Sequence, residues 1–390
     1  MTWTICPREK CVGCGACANV CPKNAISLVP DKRGFLHPQI DENLCVKCSL
    51  CQKKCPVNNP VPGREIISVV GGWNRNQGTR KASTSGGVFS LLASCILKQG
   101  GAVVGVRWND SFEPEHFMAT SENEIEYFRG SKYVQSRTGM IYVETKKVLE
   151  TGRKVLFSGT PCQIHALRLV LGKEYPNLFI VDLVCHGVPS YAFFYKHLNE
   201  VSKSHPEHIT GVYLRRKDPC WDYSSVHIDF EGGQSYQELT MNDPYFCLFN
   251  KGYSLRESCH YCRYTNLQRV SDITLSDFWN YRPDSFKTRH FAKGISCILV
   301  NSDKGQALIK EIEPQLISKP SSIKKALKAN KSLSEPFPFL PDNDSFWLDY
   351  ENGVSIEKLK EKYMPGHFSI PKSFWIKRWI KGFLWLSPKK

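Results

Sequence analysis

Eight of the 17 cysteines fall in two identical runs near the N-terminus. Cysteine thiolates are metal ligands, and each run brings four of them close together. Both runs have the spacing C-x2-C-x2-C-x3-C followed by proline, and they consist of Cys11, Cys14, Cys17 and Cys21, and of Cys45, Cys48, Cys51 and Cys55. Three thiolates on a tight loop can hold three corners of an iron–sulfur cubane, while the fourth cysteine points away toward another cluster. The spacing therefore predicts two [4Fe–4S] clusters that exchange their fourth ligands.

The duplicated run is typical of bacterial two-cluster ferredoxins. The predicted ligands of one cluster are Cys11, Cys14, Cys17 and Cys55, and those of the other are Cys45, Cys48, Cys51 and Cys21. Zinc is the alternative, but zinc sites usually show two C-x2-C pairs rather than two runs closed by Cys-Pro. Cys6 lies outside both runs and is not expected to be a ligand. Residues 25–40 are expected to form two short strands joined by a turn at Asp31–Gly34.

The composition limits the compartment and the partners. A chain of 390 residues with 41% apolar residues can form two or three folded domains, and it is not a disordered chain. Residues 1–10 lack the apolar core of a secretory signal, and no segment is apolar enough to span a bilayer. Because thiols stay reduced in a protein that is not exported, the many cysteines argue against a disulfide scaffold. We expect a cytoplasmic protein. The net charge of +15 suggests anionic partners, but no nucleic-acid-binding module or basic run accompanies it, so nucleic acid is not expected.

Strands and helices alternate after a Pro- and Gly-containing connector at Asn58–Gly63. The expected strands are 66–70, 101–106 and 178–184, and the expected helices are 88–97, 164–171 and 191–201. This alternation predicts an α/β domain with a largely parallel sheet, whose ligands bind at the carboxyl ends of the strands.

Two loops at these strand ends could bind an anion. Residues 82–87 and 158–163 are rich in small polar residues and precede helices, whose free N–H groups favour phosphate. An ordinary helix cap is the alternative for the first loop. Further along, Cys259 and Cys262 form an isolated C-x2-C pair. They could be half of a zinc knuckle, structural cysteines, or partners of Cys162 and Cys185 in a third [4Fe–4S] cluster.

Six segments together resemble one known family. They are SGG (85–87), GSKYVQS (130–136), FSGTPCQ (157–163), DLVCHGVPS (182–190), C-x2-C (259–262) and SDITLSDFW (271–279). In this order they are similar to the family of coenzyme F420 hydrogenase/dehydrogenase beta subunits, over roughly residues 65–300. The resemblance implies a mixed α/β FAD-binding domain that exchanges electrons with iron–sulfur clusters. Ser276 departs from the pattern, because glycine is expected there.

The resemblance also implies specific site residues. It places FAD contacts at Ser85, Gly86, Gly87, Ser131, Lys132, Tyr133, Gln135, Ser158, Gly159 and Thr160. It places the shared cysteines of a third cluster at Cys162, Cys185, Cys259 and Cys262.

Several polar residues near these segments are candidates for catalysis or substrate binding. Lys132 could stabilise negative charge on reduced flavin, or be a surface lysine. His186 could donate a proton, or be a loop histidine bonded to backbone. Arg215 and Arg216 could bind an anionic substrate or FAD phosphate, and Asp277 could bind a hydroxyl or cap a turn.

The expected organisation has four parts. A two-cluster ferredoxin domain occupies residues 1–62, and the family's N-terminal and C-terminal parts occupy 63–145 and 146–325. Residues 326–390 are expected to be a linker and a basic, aromatic tail. The segment 374–386 has the composition of an interfacial helix on an anionic membrane, with docking on protein or disorder as alternatives.

These observations predict an iron–sulfur flavoprotein oxidoreductase with FAD, two [4Fe–4S] clusters and a third. A ferredoxin or another redox protein would be its partner, and its substrate would be a small or lipid-linked molecule or coenzyme F420. The alternative is an electron-transfer subunit without a substrate site. If the tail binds lipid, the protein is peripheral to the inner face of the membrane.

Overall fold

The structure is a computed structural model that describes residues 4–281 and 293–376. Its strands are β1 (Ile26–Pro30), β2 (Leu36–Ile40), β3 (Ser68–Asn74), β4 (Ala102–Trp108), β5 (Pro114–Ala119), β6 (Val155–Gly159), β7 (Leu178–Leu183), β8 (Ile209–Arg216), β9 (Ser225–Phe230), β10 (Ser235–Leu239), β11 (Ile273–Asp277), β12 (Ser296–Val300) and β13 (Leu316–Pro320). Its helices are α1 (Ala16–Asn19), α2 (Leu50–Lys53), α3 (Gln77–Ala82), α4 (Val88–Lys98), α5 (Ile141–Glu150), α6 (Pro161–Leu171), α7 (Tyr191–Ser202), α8 (Pro244–Lys251), α9 (Asp303–Ile312), α10 (Ile323–Ala329), α11 (Asn343–Glu351) and α12 (Ile356–Tyr363).

The N-terminal 60 residues form a small ferredoxin-like unit. β1 and β2 pair as an antiparallel hairpin, as the sequence predicts for residues 25–40. The turn forms because the Asp31 carboxylate accepts the backbone N–H groups of Arg33 and Phe35. The one-turn helices α1 and α2 carry the third cysteine of each run. The hairpin and the short helices therefore bring the two cysteine runs together.

The central sheet is mixed rather than largely parallel, and that expectation is wrong. Its strand order is β13-β3-β12-β11-β7-β6-β4-β5. The four strands β11, β7, β6 and β4 are parallel, and the pairs outside them are antiparallel. The five-residue connection between β4 and β5 is too short for a parallel crossover, so β5 returns antiparallel. The carboxyl ends of β3, β11, β7, β6 and β4 still share one edge, and this edge positions the site.

Helices cover both faces of this sheet. α4 and α9 pack on one face, and α5 and α6 pack on the other. Successive residues of a strand point to opposite faces. Val103 and Leu156 therefore pack with α4, whereas Val104 and Phe157 pack with α5 and α6. Burial on both faces explains the almost continuous apolar runs of β4, β6 and β7.

The predicted border at 145/146 falls inside this sheet. β3, β4 and β5 lie before it, and β6, β7, β11, β12 and β13 lie after it. The two family parts are thus joined by hydrogen bonds between β4 and β6 and share a single sheet.

A second layer contains the antiparallel sheet β10-β9-β8 and four helices, α7, α8, α11 and α12. The expectation of a linker and tail after residue 326 is wrong for residues 343–363. Phe346, Trp347, Ile356 and Leu359 are buried in the same core as the aromatic residues of α7 and α8. Burial of these large side chains outweighs the polar average of the segment. Of the expected interfacial segment 374–386, residues 377–386 lie outside the described part.

The described helices include none that is long and apolar enough to cross a membrane. Phe374 packs against Tyr223, with ring centroids 4.8 Å apart. Trp375 and Ile376, which follow it, are exposed.

A buried ion pair joins β7 to the segment before β11. Arg269 Nη2 donates to Asp182 Oδ2 at 2.9 Å, and both side chains are at most 2% exposed. Arg269→Met would leave the carboxylate buried without its cation, so the free energy of unfolding should fall by about 3–5 kcal/mol. Urea unfolding under anaerobic conditions measures this loss.

The matched control is Arg216→Met, which removes an exposed pair with Asp229 at 3.9 Å. Its effect should stay within about 0.5 kcal/mol. Equal losses of unfolding free energy in the two variants would show that the buried ion pair contributes no more to stability than the exposed one.

Candidate metal centres and ligand loops

The structure brings together the cysteines predicted for each ferredoxin cluster. Cys11, Cys14, Cys17 and Cys55, here called the first quartet, line one cavity whose other walls are mainly apolar. Cys21, Cys45, Cys48 and Cys51, the second quartet, line another. Each cavity thus takes its fourth cysteine from the other run. Among the described residues no three Cys, His, Asp or Glu side chains are arranged to hold a single metal ion. Four cysteines in the spacing of each run are the ligand set of a [4Fe–4S] cluster.

The loop of the first quartet needs glycine at two positions. Gly13 and Gly15 have φ of +61° and +75°. A Cβ on Gly15 would lie 2.2 Å from Thr138 Oγ1, because the loop packs closely on the segment before α5. This contact places the first quartet against the central sheet domain.

Cys6 lies closer to the first quartet than its sequence position suggests. It lines the same cavity, and its side chain packs with those of Cys17 and Cys55. The hydrogen bond from Cys6 is the main reason why the pKa of Cys11 is lowered to about 4. Cys6 is therefore a neighbour of the ligands, although it is outside the spacing pattern.

The second quartet faces outward. Cys48 is exposed, and the adjoining Leu44 and Val46 are 50% and 57% exposed. The first quartet by contrast is wholly buried. The ferredoxin-like unit thus has an inner and an outer thiol site.

A third set of four cysteines also converges. Cys162, Cys185, Cys259 and Cys262 are here called the third quartet. Burial, followed by the charges of the other three thiols, raises the pKa of Cys185 well above its usual value. Burial and two of the same neighbours raise the pKa of Cys259 to about 12. The four thiols come from α6, from the segment after β7, and from the 3-10 turn Glu257–Tyr261 with the residue that follows it.

The third quartet adjoins the first. Burial raises the pKa of Cys14, and the charges of Cys17 and Cys162 add to the rise. Tyr264 packs in the same core cluster as Cys14 and Cys162. Burial raises the pKa of its hydroxyl, and the charges of Cys162 and Cys14 add to the rise. That hydroxyl is 2.7 Å from His165 Nδ1, and His165 Nε2 is 2.8 Å from the Asn59 carbonyl oxygen. His165 must donate to the carbonyl from Nε2, so Nδ1 accepts from Tyr264.

Buried polar side chains hold the loop of the first quartet in place. Arg256, which is 2% exposed, donates to the carbonyls of Cys11 at 2.8 Å and Leu36 at 2.6 Å. Gln135 donates to the Val12 carbonyl at 3.0 Å. The resemblance assigns Gln135 to FAD, but its amide is directed to the cysteine loop instead.

The loops expected to bind FAD meet at the edge of the central sheet. The Ser131 backbone N–H donates to Thr84 Oγ1 at 2.8 Å, which joins segment 130–133 to the 82–87 loop. The Gly86 N–H already donates to Ser296 Oγ, and a Cβ there would lie 2.6 Å from the Gly72 carbonyl. Gly87, at φ +78°, begins α4. Close backbone packing therefore accounts for these glycines without a ligand.

Lysines brace the same loops. Lys217 Nζ donates to the carbonyls of Arg80 at 2.7 Å, Lys293 at 2.8 Å and Ser85. Lys132 Nζ donates to the carbonyls of Tyr127 and Arg129. Burial lowers the pKa of each lysine to about 7.

An aromatic and charged cluster lies beside these loops. Arg215 bonds to Asp277 and, at 3.3 Å, to the Tyr133 hydroxyl. Its guanidinium lies 4.8 Å from the centre of the Trp279 ring, and its Nη2 is buried without a hydrogen bond among the described residues. Arg216 is exposed. Of the two arginines, Arg215 is thus the one placed to meet an anion.

The other predicted residues have defined partners. Ser158 and Gly159 end β6, and Thr160 caps α6 through Gln163. Thr160 Oγ1 lies 3.1 Å from Cys162 Sγ, which connects this loop to the third quartet. His186 Nε2 lies 3.2 Å from the Phe249 carbonyl, and burial lowers its pKa, so its contacts are those of the loop-histidine alternative.

Ser276, where glycine is expected, lies inside β11 opposite Cys297. The strand does not require the conformational freedom of glycine at this position.

Sequence reasoning missed Arg256 and Lys217, and it gave Gln135 a different role. Arg256 could have attracted attention by its position three residues before Cys259, and Lys217 by its position after Arg215 and Arg216. Their contacts join segments more than 120 residues apart, which no local pattern shows.

The chain matches known proteins over most of its length. Residues 152–325 and 69–141 match the C-terminal and N-terminal models described as coenzyme F420 hydrogenase/dehydrogenase, beta subunit. The chain belongs to this family. Residues 10–59 match the 4Fe-4S dicluster domain. The family member thus carries a two-cluster iron–sulfur domain at its N-terminus and is related to oxidoreductase subunits.

Individual relatives are distant. One of the F420H2 dehydrogenase subunits of Methanosarcina mazei is 27% identical over 190 residues, which are 46% of this chain and 54% of that protein. The chain therefore spans about half the length of that relative. An uncharacterized protein of Methanocaldococcus jannaschii is 22% identical over 339 residues, 77% of this chain and 86% of that protein. A chain of the F420-reducing [NiFe] hydrogenase complex from Methanosarcina barkeri is 18% identical, with a TM-score of 0.47, and the match covers 76% of this chain and 96% of that one.

The close packing of Gly15 predicts a specific loss of iron. In Gly15→Ala the new methyl group would meet Thr138 Oγ1 in addition to straining the positive φ, so the first quartet should lose its iron. Iron and sulfide analysis of the anaerobically purified protein should show about four fewer irons per chain.

Gly100→Ala is the control. Gly100 has φ +73° and open space around it, so it carries the same strain of about 1–2 kcal/mol without the clash. Equal iron contents in both variants would contradict the packing argument.

Proposed function

We propose that this chain is an iron–sulfur flavoprotein oxidoreductase that passes single electrons through three thiol-bound clusters to or from FAD at the sheet edge. The observation that supports it is the order of the thiol sites. The exposed second quartet leads to the first quartet, the first adjoins the third through Cys14 and Cys162, and Cys162 contacts Thr160 at the sheet edge.

The donor sets fit the groups that we assign to them. The first and second quartets each offer four thiols around a mainly apolar cavity, and they would hold one [4Fe–4S] cluster each. The third quartet would hold another. When bound, such clusters supply one-electron chemistry and FAD supplies two-electron chemistry.

At the sheet edge, the distance between the two ligand loops suits a molecule as long as FAD, and Arg215 provides a cation for its phosphates. From β3, which precedes the 82–87 loop, to β6, which precedes Thr160, there are four strand spacings, or about 19 Å. Arg215 presents a buried N–H group without a partner beside Trp279, and Ser131 lies at the 82–87 loop. We propose that Arg215 and the 82–87 loop bind the anionic part of FAD, with Tyr133 and Trp279 beside it.

The outer thiol site is the proposed entry or exit for electrons. Cys48 is exposed, and residues 4–59 carry eight Lys or Arg against four Asp or Glu. A ferredoxin or another acidic redox protein is therefore the proposed partner. Coenzyme F420, which the relative from M. mazei has in its name, and small or lipid-linked molecules are the proposed substrates. A position at the membrane surface through residues 374–386 rests on the sequence alone.

A relay subunit without its own substrate site is the second candidate. The ammonium groups of Lys132 and Lys217 donate to backbone carbonyls, and His186 lies against another carbonyl. Lys132, expected to stabilise negative charge on the flavin, and His186, expected to donate a proton, are thus already engaged. Substrate turnover by the isolated chain with an artificial donor separates the two candidates, because a relay would exchange electrons without converting a small molecule.

The third quartet predicts a measurable iron count. The protein purified anaerobically should contain about twelve irons per chain, and Cys162→Ala should contain about eight. Cys95→Ala, which removes a cysteine of α4 outside the quartets, should leave the count unchanged. A count of about eight in the unmodified protein would rule out the third cluster but not the ferredoxin-like pair.

Replacement of Lys217 should lower the affinity for FAD. Because its ammonium group holds the carbonyls of Arg80, Ser85 and Lys293 together, Lys217→Met should release the 82–87 loop and weaken FAD binding at least tenfold. Fluorescence titration of the reconstituted protein with FAD measures this change.

Lys310→Met, at an exposed position in the last turn of α9, serves as the control and should bind FAD normally. If the unmodified protein binds no flavin after reconstitution, the flavin assignment fails and the relay gains support.

A further inference from the structure

Arg256 is a buried cation without a carboxylate partner. Its guanidinium is 2% exposed and donates to Gln135 and to the carbonyls of Cys11 and Leu36. Within residues 4–281 and 293–376 it forms no ion pair with Asp or Glu. Arg269, which is buried to the same degree, is paired with Asp182. A buried charge normally requires an opposite charge beside it, because removal from water is costly.

The neighbours of Arg256 show where the opposite charge lies. Its carbonyl accepts the N–H of Cys259, so it is three residues from one ligand position of the third quartet. Its guanidinium bonds to the carbonyl of Cys11, which belongs to the first quartet. Ser258, in the same turn as Cys259, also donates to the carbonyl of Cys11, at 3.1 Å. Arg256 therefore lies between two thiol sites.

We propose that Arg256 is the shared countercharge of the first and third quartets and raises the reduction potential of both. Four thiolates around an iron–sulfur core give a net negative site, and reduction adds one electron and no atom. A fixed cation in a low-dielectric position stabilises this added charge. The proposal rests on the function proposed above, in which both quartets hold clusters and electrons come from the redox partner.

The same side chain also positions the two sites. It bonds to the first cysteine loop and, through the backbone, to the turn that carries Cys259. A purely structural role would require the hydrogen bonds of Arg256 but not its charge. Charge and shape must therefore be separated by the test.

Three variants of the full chain, each loaded with iron anaerobically, make this separation. Arg256→Gln removes the charge and keeps an amide donor. Arg256→Lys keeps the charge with a different shape. Arg153→Gln is the matched control, because Arg153 also donates to two backbone carbonyls, those of Gly100 and Gly101, but is exposed to solvent and lies outside the quartets. Iron content and potentiometric titration followed by EPR and visible absorption are measured for each.

In Arg256→Gln the equilibrium constant for reduction of the first and third quartets should fall at least tenfold. This lowers the reduction potential by about 59 mV for one electron. Arg256→Lys and Arg153→Gln should remain within about threefold of the unmodified protein, because the lysine retains the charge and solvent screens Arg153. The second quartet, which Arg256 does not touch, provides an internal reference in every sample.

Unchanged inner potentials in Arg256→Gln with full iron content would overturn the proposal. If Arg256→Gln fails to hold iron, the lysine variant decides. Retention of iron by Arg256→Lys supports a role of the charge, whereas loss from both variants indicates a structural role only and rejects the proposal. An iron count of about eight in the unmodified protein would instead reject the third cluster, and the shift would still be tested on the first quartet.

Discussion

The hydrogen bonds between buried side chains of the central domain and the loop of the first quartet determine how the thiol sites are arranged. Arg256 and Gln135 bind the carbonyls of this loop, and Tyr142 donates to the carbonyl of Cys14 at 2.9 Å. These are hydrogen bonds from buried side chains to backbone, so they fix the path of the loop rather than a single side chain. As a result one thiol site is enclosed between the two units, and the other is left at the surface.

The order of the sites has a simple origin in the sequence. The fourth cysteine of each run crosses to the other cavity, so the two ferredoxin sites cannot be separated without breaking both. The third quartet is formed by long-range contacts instead, between the start of α6, the segment after β7 and the 3-10 turn Glu257–Tyr261. The parallel centre of the sheet brings Cys162 and Cys185 to the same edge, because β6 and β7 are neighbours that run in the same direction.

Local patterns predicted the parts that depend on local physics. The cysteine spacing anticipated both ferredoxin cavities, and the apolar runs anticipated β3, β4 and β7 and the helices that follow the ligand loops. The antiparallel strands around the parallel centre, the β8–β10 sheet and the packing of α11 and α12 were not anticipated, because they depend on which distant surfaces meet. The charge of Arg256 looked ordinary in the sequence, and only its burial between two thiol sites gives it a role.

The exposure of Cys48 affects how the protein responds to oxidants. An oxidant that arrives from solvent meets the outer thiol site first, because Cys48 is exposed, whereas the first quartet is buried and the third is half-buried. In the proposed relay, damage by air would therefore remove the contact point for the electron carrier before it reaches the interior. The damaged molecule would lose its supply of electrons and become inactive instead of passing electrons to oxygen.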